Sequence, residues 1–275
     1  TDVRERTYSA TVFNMSRKKS MLWDNAYATF ERVNLKGGVK VSNILYGNFF
    51  GGDTKVYELK HGWDFMASFH ISYNGSHQAY SGIDIYQNGG SLGATGVWYK
   101  NNFFTALTAN VGAGVADAST MYGSEDFPIM TAGLASKTGY NFEFADGKFI
   151  IQPNYLMSYT WVNVWDYTNA SNIPVHSDPL HAINIAPGLK FIGNLKNGWQ
   201  PYLSLRMVFN IMDKTDFTAY DIPIPELSIR PYFQYGLGVQ KYWGDRFTGY
   251  LQAMLRNGGR NGIALSAGMR WVIGR

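Results

Sequence analysis

From Phe247 to the C-terminus the chain alternates, residue by residue, between apolar and mixed side chains. Ile263, Leu265, Ala267, Met269, Trp271 and Ile273 fall on one face, and Ala264, Ser266, Gly268, Arg270 and Val272 on the other. Just before, Phe247, Leu251, Ala253 and Leu255 oppose Arg246, Thr248, Tyr250, Gln252 and Arg256. A period of two is the period of a β-strand, whose successive side chains point to opposite faces. A soluble sheet with one buried face alternates in the same way. Here the alternation runs through nearly the whole chain, with polar groups on the second face throughout.

Composition narrows the choice. Charged residues make up 16% of the 275, against roughly 25% in an ordinary soluble domain. Tyr, Trp and Gly are abundant, at 19, 8 and 30. Mean hydropathy is −0.20, and no run approaches the about 18 apolar residues of a membrane-spanning helix. These features fit a transmembrane β-barrel, and they also fit a soluble all-β sandwich or barrel. The absence of Cys is compatible with an oxidising envelope. The start, TDVRERTYSA, is polar and holds no signal peptide, so an exported product would be a mature or excised piece of something longer. The net charge of +4 is modest and the one basic cluster is Arg17-Lys18-Lys19, so no nucleic-acid partner is expected.

Twelve strand-like runs follow one another: 25–33, 39–50, 62–73, 91–100, 103–116, 129–144, 149–165, 180–191, 199–211, 227–242, 246–257 and 263–273. An even number is what a bacterial single-chain barrel requires. Asn101-Asn102, Asp146-Gly147 and Gly244-Asp245 read as tight turns. Stretches 75–90, 117–128, 166–179 and 213–225 read as long connections. Apart from the first and last hairpins, long and short connections alternate. Membrane barrels sort their loops this way, with short periplasmic turns and longer outer loops, and a sandwich has no reason to. Aromatics at run ends, such as Trp63, Trp98, Tyr140, Trp199 and Trp271, sit where interfacial girdles would place them.

Residues 9–19 break the pattern: no Gly, no Pro and no period of two, as in a short helix or an N-terminal arm. The second face of the strands carries small residues, among them Gly93, Gly133, Gly139, Gly188, Gly236, Gly238 and Gly268. They suggest a bore about as wide as one helix, roughly 10–12 Å, with the 9–19 segment as its occupant. Strand bending would also explain inward glycines. By alternation the inward charges are Lys137, Lys190, Arg206, Arg230, Arg246, Arg256 and Arg270 against Asp64, Glu143 and Glu226, so the bore is expected to be mainly basic.

The end of the chain, YGLGVQKYWGDRFTGYLQAMLRNGGRNGIALSAGMRWVIG, resembles the C-terminus of an autotransporter β-domain. The likeness extends more loosely over 24–275. It implies an outer-membrane barrel of twelve strands, threaded by a helix that links it to an exported N-terminal passenger. Residues 1–23 then form linker and pore helix, with Phe13, Asn14, Arg17 and Lys18 in the helix. Ser266, Gly268, Trp271 and Ile273 stand where the family carries its signal to the barrel assembly machinery, with Ile in place of the last aromatic. Asn14 is followed by Met15 and not by the second Asn of the self-cleaving subgroup, so no autocleavage is expected.

Little else suggests chemistry. His70-Ile71-Ser72 has the His-x-Ser spacing of outer-membrane phospholipases, but alternation turns His70 and Ser72 inward. His176 and several loop Asp residues stand where an omptin-like protease would need them, and loop Asp usually only forms turns. No metal spacing, nucleophile elbow or phosphate loop is present, and no cofactor is expected. The expected protein is a translocator and anchor in a bacterial outer membrane, in contact with lipid and not an enzyme. A stand-alone porin-like or plugged barrel, or an outer-membrane hydrolase, are the alternatives.

Overall fold

The computed structural model describes residues 19–35, 38, 40–121, 123–168, 172, 174–214, 217–219, 222–223, 229–244 and 246–273. Twelve long strands follow in chain order: β1 Met21–Asn34, β2 Lys40–Asp53, β3 Asp64–Tyr80, β4 Ile83–Lys100, β5 Phe103–Thr120, β6 Gly123–Tyr140, β7 Phe149–Val164, β8 Leu180–Gly193, β9 Trp199–Lys214, β10 Tyr232–Trp243, β11 Phe247–Gly258 and β12 Arg260–Val272. Each pairs antiparallel with the next. The sheet closes where β1 meets β12 over its whole length, from Met21↔Val272 to Val33↔Arg260. Closure leaves no free edge, the condition for a sheet to cross lipid with all its backbone groups paired.

Twelve strands were expected and the parity of their side chains holds, but their lengths differ. Stretches 75–90 and 117–128 are not long loops. β3 and β4 stay paired up to Tyr80↔Ile83, and β5 and β6 up to Thr120↔Gly123, so each pair turns tightly at its tip. Strands of 17 and 18 residues exceed the about 9–11 needed to span a bilayer, so this side of the barrel stands out as a paired wall. Above the membrane the outward face need not be apolar, so the alternation fades while the ladder continues. In the other direction, run 129–144 is interrupted at Asn141, and Phe142–Phe144 pairs separately with the start of β7. The connections 165–179 and 215–231 are long, as expected. Among the described residues they carry four short strands, Tyr167–Thr168, Pro174–Ser177, Phe217–Ala219 and Ile222–Pro223, that form a small second sheet. There Tyr167 stacks on Phe127 at 4.7 Å. Burial, and then the Glu125 carboxylate, push its hydroxyl pKa up.

Outward positions carry exposed apolar side chains: Leu237 at 66%, Ile71 at 62%, Leu92 and Leu251 at 61%. Near the end that holds Met21 and Val272, rings gather on the outside. Phe65 packs on Trp98 at 5.2 Å and Trp243 on Phe247 at 5.1 Å, while the ammonium of Lys241 lies 4.9 Å over Trp199. Amphipathic rings and snorkelling cations are what a bilayer interface favours.

Candidate functional site

The functional surface of such a barrel is its inner wall. Of the inward charges expected, Lys137, Lys190, Arg206 and Arg270 are buried on that wall, and Arg256 is half-buried beside them. Asp64 begins β3 on the inward side. The others lie elsewhere. Glu143 is exposed on the short Phe142–Phe144 strand beyond Tyr140, where β6 has already ended. Arg230 precedes β10 and Arg246 sits in the turn before β11; both are exposed. The alternation of a strand does not govern residues that stand outside it. Glu226, Phe13, Asn14, Arg17 and Lys18 lie outside the described residues, as does nearly all of the expected helix.

The inner wall is not polar throughout. Met66, Val97, Tyr99, Phe104 and Ala106 form a buried apolar cluster with Val56 from the connection below β3. A second joins Leu156, Ala186 and Val208. Neighbouring inward side chains bury one another here, so they need neither water nor lipid.

The inward glycines seat rings. Tyr202 on β9 faces Gly238 on β10, which faces Gln252 on β11. A Cβ at Gly238 would run into the Tyr202 ring, so glycine alone lets the ring lie across β10. From there the hydroxyl of Tyr202 donates to Gln252 Oε1 at 2.8 Å. The ammonium of Lys190 sits 4.1 Å from the same ring. The arrangement recurs on the first strands: Tyr27 crosses Gly47 and donates to Asn74 Oδ1 at 2.8 Å. Trp23 crosses Gly51 toward His70, ring centroids 6.2 Å apart. Rings laid along the wall do not project toward the axis, so the glycines serve the bore through their neighbours.

Two carboxylates that no sequence pattern marks organise the closing seam. Glu31 on β1 has a fully buried side chain. It accepts from Asn43 Nδ2 at 2.8 Å and Arg256 Nη1 at 2.8 Å, and from Arg260. Arg256 also donates from Nε to Gln234 Oε1 at 3.0 Å. Toward the other end of the seam, Asp53 on β2 accepts from Trp23 Nε1 at 2.9 Å and is paired with Arg270 on β12 at 3.2 Å. Each cluster ties an acid of the first hairpin to an arginine of the last. No signal in the sequence announces this. β1 turns Met21, Trp23 and Val33 inward, so its apolar side chains do not mark its lipid face.

On the last strand Ser266 is buried inward and Gly268 packs against Asn25 and Tyr250. Trp271 and Ile273 take the outward side, Ile273 at 45% exposure. His70 is buried among Trp23 and Phe49, and the Ser72 hydroxyl lies 2.5 Å from that of Ser91. Among the described residues no group of three His, Cys, Asp or Glu is placed to hold a metal ion.

A closed twelve-stranded barrel with lipophilic exterior and charged, ring-lined interior defines a membrane-spanning conduit or anchor. The family model for the autotransporter beta-domain matches residues 22–253, and the chain belongs to that family. It is an outer-membrane translocator and anchor domain, located in a bacterial outer membrane. Among solved structures, the β-domain of the Bordetella autotransporter BrkA is similar at 16% identity and a TM-score of 0.75, over 92% of this chain and 99% of that one. The translocator domain of NalP from Neisseria meningitidis is similar at 11% identity and 0.76, over 98% and 94%. The transport unit of AIDA-I from Escherichia coli is similar at 14% and 0.70, over 97% of each chain. At these identities the likeness is one of fold. No curated protein matches.

Proposed function

We propose that the bore passes an N-terminal passenger segment to the cell surface, that the segment at residues 9–19 then occupies it as a helix, and that the barrel catalyses nothing. The observation that carries this reading is the wall itself. Tyr202, Tyr27 and Trp23 lie flat over glycines and away from the axis, and fixed ion pairs hold the seam. The barrel assembly machinery is the proposed reader of Ser266, Gly268, Trp271 and Ile273, and outer-membrane lipid is the proposed partner of the apolar exterior. The segment's Arg17 and Lys18 belong near the mouth beside β1, because a basic wall repels them further in.

The test is display of a small reporter fused before Thr1, read as cleavage by protease added to intact cells. Trp placed together at inward Asn110 and Ala135 narrows the bore without touching the seam. Such a variant is expected to fold, judged by its heat-modifiable gel mobility, and to display much less reporter. Full display from a folded, narrowed barrel would overturn the reading.

A further inference from the structure

At the rim opposite Met21 and Val272, cations divide into two sets. Arg256 and Arg260 turn inward and share the Glu31 carboxylate. Arg32, Lys40 and Arg230 are exposed and line one depression of about 500 Å³ together with Asn34 and Asn261. Among the described residues no carboxylate lines it, and none gives these three cations an acidic partner. Holding three like charges around one hollow is unfavourable unless an anion shares it.

The position of the hollow says which kind of anion. Arg32 is on the outward face of β1, two residues beyond the exposed Phe30. Around the same height the outward face carries Ile44, Phe233 and Leu255, all exposed and apolar. The hollow thus opens sideways, just above the last apolar ring, at the level where lipid headgroups begin, and not into the bore. Guanidinium groups bind phosphate through paired, charge-assisted hydrogen bonds, and outward basic residues at a bilayer surface are drawn to anionic lipid.

The geometry points to a binding site for the phosphorylated headgroup of an outer-leaflet glycolipid, held by Arg32, Lys40 and Arg230. The site goes beyond passage of a passenger and stands whether or not the bore conducts one.

The 275-residue chain in zwitterionic nanodiscs is titrated with diphosphorylated lipid A, with dephosphorylated lipid A and with inorganic phosphate, and retention is read by native mass spectrometry. R32Q/K40Q/R230Q is expected to weaken lipid A binding about a hundredfold, roughly fivefold per cation removed. R32K/R230K keeps the charge but gives up the paired guanidinium bonds and is expected to weaken binding less than the triple variant does, while K241Q, which removes a cation at the other end, is expected to leave it unchanged. Gel mobility with and without heating establishes that each variant is folded. Undiminished binding by the folded triple variant would overturn the proposal. So would equal affinity for the dephosphorylated lipid, or displacement of lipid A by inorganic phosphate at matching concentration.

Discussion

The hydroxyl of Tyr202 donates to Gln252 two strands away, and it reaches there by lying across Gly238. A methyl group at Gly238 meets only atoms of that ring at closest range. Gly238→Ala is therefore expected to lift Tyr202 off the wall, breaking the bond to Gln252 and the contact with Lys190. The expected cost is about 1–3 kcal/mol, the usual range for overpacking. In the Tyr202→Ala background the same change should cost clearly less. Urea unfolding in lipid vesicles reads both, and strictly additive costs would mean that the ring and the glycine are independent.

Glu31 stands between two arginines with no exposed side-chain surface of its own. Glu31→Gln leaves both guanidinium groups without their counter-charge, and a loss of about 3–5 kcal/mol is expected. Replacing Arg256 and Arg260 by Met alongside Glu31→Gln should restore part of it, since the uncompensated charges go too. If the triple variant is no more stable than the single one, the cluster does not act as an ion-pair unit.

Leu237 and Leu251 point outward near the middle of their strands. Arg at either is expected to cost about 2–4 kcal/mol. Arg at inward, half-buried Asn110 should cost much less, because it enters the bore and not hydrocarbon. Equal costs on the two faces, measured by the same unfolding assay, would contradict the membrane embedding.

Met121, 84% exposed at the tip of β5, and Asn172 lie at one end of the barrel; Asn101 and Asp146 lie in turns at the other. Cys introduced at the first pair should react with a membrane-impermeant maleimide on intact cells. Cys at the second pair should react only after lysis. The reverse labelling would invert the orientation.

Deleting residues 1–20 is expected to raise single-channel conductance several-fold and to leave an anion-preferring pore, as screening predicts weaker in high salt. Lys137, Lys190 and Arg206 line the wall, while Glu31 and Asp53 are engaged by arginines at the seam. A cation preference in planar bilayers would mean that the seam acids dominate the field. Unchanged conductance would mean that the segment does not obstruct the bore.

Strand number, inward and outward parity and the turns at Asn101 and Asp146 were legible in the sequence. Each rests on a local rule: neighbours along a strand face opposite ways, and Asn, Asp and Gly tolerate positive φ, here 51° at Asn101 and 57° at Asp146. The same rule placed Lys137, Lys190, Arg206 and Arg270 inward. It does not reach Arg230 and Arg246, which stand off the ladder, and it fades over 75–90, where the pairing continues to the tip. What only the tertiary structure decided is which side chains meet across strands. Glu31 finds Arg256 at a separation of 225 residues because barrel closure sets β1 against β12 in one register, and no local pattern encodes that shift. Tyr202 lies over Gly238 for the same reason: the residue opposite on the next strand is fixed by register, and register is a property of the closed sheet.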